Sequence, residues 1–221
     1  MSLETLSAPI AQPVVKNGRL VDRFNQAVRQ PDRFGGVACL PGLLDQLAAE
    51  EGQAGAIWIP DANQRLSVEK AFQGFFPEPE IHVLASQYGE QAFRRGWLRL
   101  DRALNPSRFG RLLDGVLPWV KSDRAVTIND ITAEYGPASI TFGDPDPRHP
   151  KTLGYATHDT EAPFLVFHLE ATEPTADASS VEAATLLAVR TDFNFAFTTR
   201  GRGLARKSVS GPLKGEIKRA L

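Results

Sequence analysis

The chain has 221 residues, 42% hydrophobic and 23% charged, values of an ordinary globular protein long enough to bury a core, which excludes wholesale disorder. A formal net charge of −1 gives no global field toward nucleic acid or an anionic membrane. The single cysteine, Cys39, rules out an intramolecular disulfide and a multi-thiol zinc site.

Residues 1–18 read as an irregular arm without the basic start and continuous apolar run of a signal peptide, and no stretch nears the length needed to span a bilayer, so a cytoplasmic protein is expected. Asn17-Gly18 could turn a hairpin, but Leu20, Phe24 and Val28 recur every fourth residue and Pro31 follows, which favours a helix from about Arg19. Gly36 to Leu40 is a short apolar run between turn residues and reads as a buried strand. Leu43, Leu44 and Leu47 then make a helical stripe after Pro41-Gly42. Ala56 to Ile59 reads as a second strand, followed by a helix capped at Asp61 or Asn63 and broken by Pro77 and Pro79. Ile81 to Leu84 is a third strand candidate, and Tyr88 to Leu104 a helix carrying Phe93, Trp97, Leu100 and Leu104 despite Gly96. Strands alternating with helices predict parallel pairing in this half. Asn105-Pro106 restarts a helix with Phe109, Leu112, Leu113 and Val116 inward, ended by Pro118. Thr127 caps a further short helix that stops at Gly136-Pro137.

From Ser139 the pattern changes to short alternating segments: 139–142, 153–157, 164–169, 185–190 and 193–198, joined by loops, the signature of antiparallel strands. The expected fold is therefore α+β. It has an N-terminal portion of alternating helices and short strands and a C-terminal antiparallel β-meander, with one continuous mixed sheet as a possible arrangement. The parts are residues 1–18 as arm, 19–121 as a helix-rich portion, 122–199 as a β portion and 200–221 as a tail, with one single domain overall as the alternative.

Three features carry candidate chemistry. The first is the loop Gly143-Asp144-Pro145-Asp146-Pro147-Arg148-His149-Pro150, with His158-Asp159 beyond it. Asp144, Asp146 and His149 are the residue types that hold a metal ion, which makes a metal-assisted hydrolase one alternative. Yet Asp-Pro repeats are also how a rigid surface turn is written, and His158 falls at the far end of the second strand. The second is Gly201 to Ser208, one residue short of a phosphate-binding loop because Arg206 replaces the second glycine. The third is the tail from Arg200, where Arg200, Arg202, Arg206, Lys207, Lys214, Lys218 and Arg219 face only Glu216, a net of +6 that leaves −7 on the rest of the chain. Such a split suits an acidic protein surface or, as a further alternative, nucleic-acid phosphates, although no aromatic residue in the tail could stack on a base.

Cys39 sits among Val37, Ala38 and Leu40 and reads as a small core residue. His82 and His168 read as satisfied strand histidines, and no serine-nucleophile motif is present. Asp61 and Ser86 are the only polar residues near the predicted strand ends. The expectation is a non-catalytic macromolecule-binding protein of inhibitor, immunity or adaptor type, bacterial in character and without a cofactor. It would hold another protein through Arg148 and through Arg200, Arg202, Arg206 and Lys207.

Overall fold

The computed structural model describes residues 18–52, 81–121, 124–171, 183–191 and 194–197. Residues 1–17 of the arm, the predicted strand at 56–59, the helix after it and the basic tail lie outside these residues. Among these residues five α-helices precede a five-stranded antiparallel sheet: α1 Gly18–Arg29, α2 Cys39–Glu50, α3 Ile81–Arg94, α4 Pro106–Lys121 and α5 Ile128–Tyr135, then β1 Ile140–Gly143, β2 Lys151–Tyr155, β3 Leu165–Glu170, β4 Thr185–Thr191 and β5 Asn194–Phe197. The strands pair in sequence order, each with the next, so the expected meander and the α+β class are what the chain forms.

Helix α1 follows the expected stripe, burying Val21, Phe24, Ala27 and Val28. Asn25 fixes it to the chain leaving α3: its amide donates to Trp97 O at 2.7 Å, and its Oδ1 accepts from Arg99 N at 2.7 Å. Pro31 stops α1 and opens a 3-10 turn, Pro31–Phe34.

Several expectations in this half are corrected. Gly36–Leu40 is not a strand. Gly35 and Gly36 both take positive φ (88° and 85°), which breaks the chain, and Leu40 joins Leu43, Leu44 and Leu47 on the buried stripe of α2. Pro41 is tolerated there because the first turn of a helix needs no donor from it. Ile81–Leu84 is the first turn of α3, not a strand; a four-residue apolar run carries no period of its own, and the burial of Val83, Ala85, Ala92 and Phe93 spans a longer helix. That helix does not reach Leu104. It ends at Gly96 (φ 73°), where Gly96 N–H donates to Phe93 O at 2.9 Å and Trp97 N–H to Ala92 O at 2.9 Å, the two bonds of a glycine-terminated C-cap. Pro118, expected to end α4, lies inside it. The helix continues to Lys121 because Val120 is buried and Trp119 meets Tyr135 edge-on at 5.7 Å, contacts that offset the lost backbone bond. With no strand described before β1, the parallel pairing and the mixed sheet also give way to a wholly antiparallel sheet among the described residues.

The last helix matches its sequence signals. Thr127 Oγ1 accepts from Asp130 N–H, the Asp130 carboxylate accepts from Thr127 N–H at 2.8 Å, and Gly136 follows with φ 76°.

The sheet is covered on both faces, which is why β2 to β4 are buried almost throughout rather than alternating. On one face Ile140, Phe142, Phe164 and Val166 meet α1, α2 and α3. On the other, Leu153, Tyr155, Leu165, Phe167 and Leu169 meet α4 and α5. Close approach of α3 depends on Gly89, where a Cβ would fall 2.6 Å from Phe142 Cε1.

Candidate functional site

Two polar constructions stand out: a surface loop that the sequence announced and a buried seam that it did not.

The loop joins β1 to β2, which pair as the expected hairpin with Gly143 opposite Lys151. Gly143 (φ 106°) turns the chain out of β1; a side chain there would meet Pro150 O at 3.0 Å. Each aspartate then closes a turn on the backbone two residues ahead. Asp144 Oδ1 accepts from Asp146 N–H at 2.8 Å, and Asp146 Oδ1 accepts from Arg148 N–H at 3.0 Å. The Arg148 guanidinium folds back onto the Asp146 carboxylate, with Nε 2.8 and 2.9 Å from its two oxygens and Nη2 bonded to Oδ2. That side-chain bond, with the Arg148 amide, holds the Asp146 carboxyl well below the usual carboxylate range. Beneath the loop the buried Lys151 ammonium donates to Asp144 O and Asp146 O. Burial pushes its pKa down, opposed by the Asp144 and Asp146 charges. Ala184 N–H donates to Pro147 O at 2.9 Å and ties the loop to the start of β4. The result is a fixed loop with Asp144, Pro145, Pro147, Arg148 and His149 exposed.

Of the residues considered for a metal, Asp146 has its carboxylate occupied by Arg148. Among the described residues no three of His, Cys, Asp and Glu are grouped to hold an ion. His158 and Asp159 follow the far end of β2, as the strand length required. Cys39 is half-buried at the start of α2 beside Arg23, Phe34 and Leu43. Burial raises its pKa, and Arg23 only partly opposes this, so the thiol form is favoured. Arg200, Arg202, Arg206 and Lys207, with the near phosphate loop, lie outside the described residues.

The seam lies between α3 and the sheet. His82, Ser86 and Glu90 recur at every fourth residue and so share one stripe of α3, facing Thr152 of β2, His168 of β3 and Arg190 of β4, and all six are buried. Thr152 Oγ1 lies 2.8 Å from His82 Nδ1 and 2.9 Å from His168 Nδ1. A single hydroxyl proton can be donated to only one imidazole, so at least one of the two rings carries its proton on Nδ1 and donates to Thr152 Oγ1. Glu90 takes a bond on each oxygen: Oε2 accepts from Arg190 Nη1 at 2.6 Å and Oε1 from Phe164 N–H at 3.1 Å. Arg190 also donates to Ser86 Oγ at 3.4 Å, and Ser86 in turn donates to Val83 O at 2.7 Å. His168 is held well below its ordinary pKa, by burial first and then by the Arg190 and His82 charges, and stays neutral at physiological pH.

Chemically the seam is a clasp. Its serine bonds to a carbonyl and a guanidinium rather than to an imidazole, so it is not built as a nucleophile. His82 was expected in a strand and stands in a helix; His168 is the strand histidine expected. The signal that could have exposed the seam was the spacing of His82, Ser86 and Glu90, hidden once 81–84 read as a strand.

No family model matches the chain, and neither a curated protein nor a solved structure matches it. Among the described residues no helix is long and apolar enough to cross a membrane.

Proposed function

We propose that the protein acts by holding another protein, with the 144–149 loop as one part of the contact surface and the basic segment from Arg200 as the other. The observation that carries this reading is the prior fixation of an exposed loop. Two aspartate turns, the Arg148–Asp146 clasp and the Lys151 ammonium under two carbonyls settle its shape without a partner. A loop already ordered gives up little conformational freedom on binding, which is where affinity is commonly lost. The same loop spends its acidic groups internally, which favours recognition over metal-assisted hydrolysis. The charge split supports an acidic face on the partner, reached by Arg202, Arg206 and Lys207. A cytoplasmic setting belongs to this reading and is supported by the lone free thiol of Cys39.

Affinity capture of the tagged full chain, with nuclease treatment and at two salt concentrations, tests it. The expected result is one protein recovered in fixed ratio, lost with Arg148→Glu and with the triple reversal of Arg202, Arg206 and Lys207 to Glu. Recovery of nucleic acid alone, with a steep salt dependence, points instead to phosphate binding through the tail.

A further inference from the structure

On the opposite side of the sheet from the seam, two arginines meet at a point where the chain has no side chain. Gly136 ends α5, and a Cβ built on it would lie 3.2 Å from Arg108 Nη2 and 3.7 Å from both Arg102 Nη1 and Nη2. The two guanidinium groups therefore flank one patch of backbone, and the missing side chain is what lets both approach. They arrive from different elements, Arg102 from the extended segment before α4 and Arg108 from its first turn.

The framework beneath them is firm. Tyr155 OH donates to Gly136 O at 2.8 Å, and Arg108 Nη2 donates to Tyr135 O at 3.1 Å. The Tyr135 and Tyr155 rings are buried and tilted against each other at 5.7 Å. Both guanidinium charges reach the Tyr155 hydroxyl strongly enough to work against the effect of its burial.

Neither guanidinium has a carboxylate partner among the described residues. Among the described residues Arg108 bonds only to the Tyr135 carbonyl, which leaves most of its donors open, and Arg102 makes no hydrogen bond or ion pair. The nearest acid along the chain, Asp101, is already taken by Arg29 at 2.9 Å. Three other surface arginines do have a carboxylate: Arg99 pairs with Asp22, Arg124 with Asp130 and Arg148 with Asp146. Two like charges brought together without a counter-ion repel each other, and a doubly charged oxyanion between them removes that repulsion. A single carboxylate is satisfied by one guanidinium fork. A tetrahedral dianion has oxygens enough for two.

We propose that Arg102 and Arg108, meeting over Gly136, form a binding site for a phosphate monoester dianion.

The test uses the full chain labelled for arginine side-chain NMR, titrated with inorganic phosphate at constant ionic strength, with acetate as the singly charged control. Both Nε–H signals are expected to shift and saturate with phosphate. Arg102→Gln, which removes no hydrogen bond or ion pair among the described residues, is expected to raise the half-saturation concentration about tenfold, the loss of one charge-assisted hydrogen bond. Its thermal midpoint should equal that of the parent. Arg108→Gln repeats the test from the other side, although it also uncaps Tyr135 O. A non-saturating shift, an acetate curve matching the phosphate curve, or an unchanged half-saturation in Arg102→Gln would overturn the site. Glycerol phosphate compared with a phosphoserine peptide then separates a small metabolite from a modified side chain as the source of the phosphate.

Discussion

Replacing Glu90 by alanine tests whether the seam between α3 and the sheet holds the fold. Glu90 and Arg190 are both buried, at 6% and 1% exposure, and the carboxylate serves two donors, Arg190 Nη1 of β4 at 2.6 Å and the N–H of Phe164, just before β3, at 3.1 Å. Removing one member of a buried ion pair costs about 3–5 kcal/mol, because the other charge keeps its desolvation penalty. Against a total stability of about 5–15 kcal/mol, that is a large fraction. In urea, with a slope of about 2–3 kcal/mol per molar, the midpoint should fall by roughly 1–2 M. Glu90→Gln keeps the shape and one acceptor and should lose about 1–3 kcal/mol. Replacing both partners with apolar residues, Glu90→Leu with Arg190→Met, should recover much of the loss, since no buried charge is then stranded. A Glu90→Ala variant within about 1 kcal/mol of the parent would refute the reasoning, because it would mean the pair is solvated or replaceable.

Three further outcomes follow from the same structure. His168 is buried neutral with its pKa lowered, so the unfolded chain binds a proton that the folded chain refuses; stability should be flat above the ordinary histidine pKa and fall as pH drops through about 6.5, by at most about 1.4 kcal/mol per pH unit for this group. Urea unfolding from pH 8 to 5 checks this, and His168→Leu should flatten the decline; rising stability on acidification would contradict it. Gly89→Ala places a methyl 2.6 Å from Phe142 Cε1 and should cost about 1–3 kcal/mol, read as a lower thermal midpoint. Thr127→Ala removes one half of a reciprocal cap and should cost about 0.5–2 kcal/mol by the same measurement.

The sequence was most legible where a local chemical signal decided the structure. Thr127 with Asp130 three residues on, Asn105-Pro106, and the alternating segments after Ser139 each specify their element through backbone bonds or a period of two. It misled where a short apolar run had to be assigned by composition. Gly36–Leu40 and Ile81–Leu84 are compatible with a buried strand or a buried helix turn, and only tertiary packing decides between them. At Gly96 a helix-stop signal competes with the helical spacing of Trp97, Leu100 and Leu104; the glycine wins, and those residues are held by an extended segment. The loop was legible because Asp-Pro turns are local. The seam was not, since His82, Ser86, Glu90, Thr152, His168 and Arg190 come from one helix and three strands. The pairing of Arg102 with Arg108 needs Gly136 to bring it about, and nothing in the linear order signals it.

The most direct test of the central claim is the dissociation constant between the purified chain and its captured protein partner, measured for the parent and for Arg148→Glu. Arg148 is exposed, so the substitution leaves the core intact while it opens the clasp on Asp146 and reverses a charge on the loop. The account predicts weakening of at least about tenfold with an unchanged thermal midpoint. Equal affinity in the two proteins would contradict it and remove the loop from the contact surface.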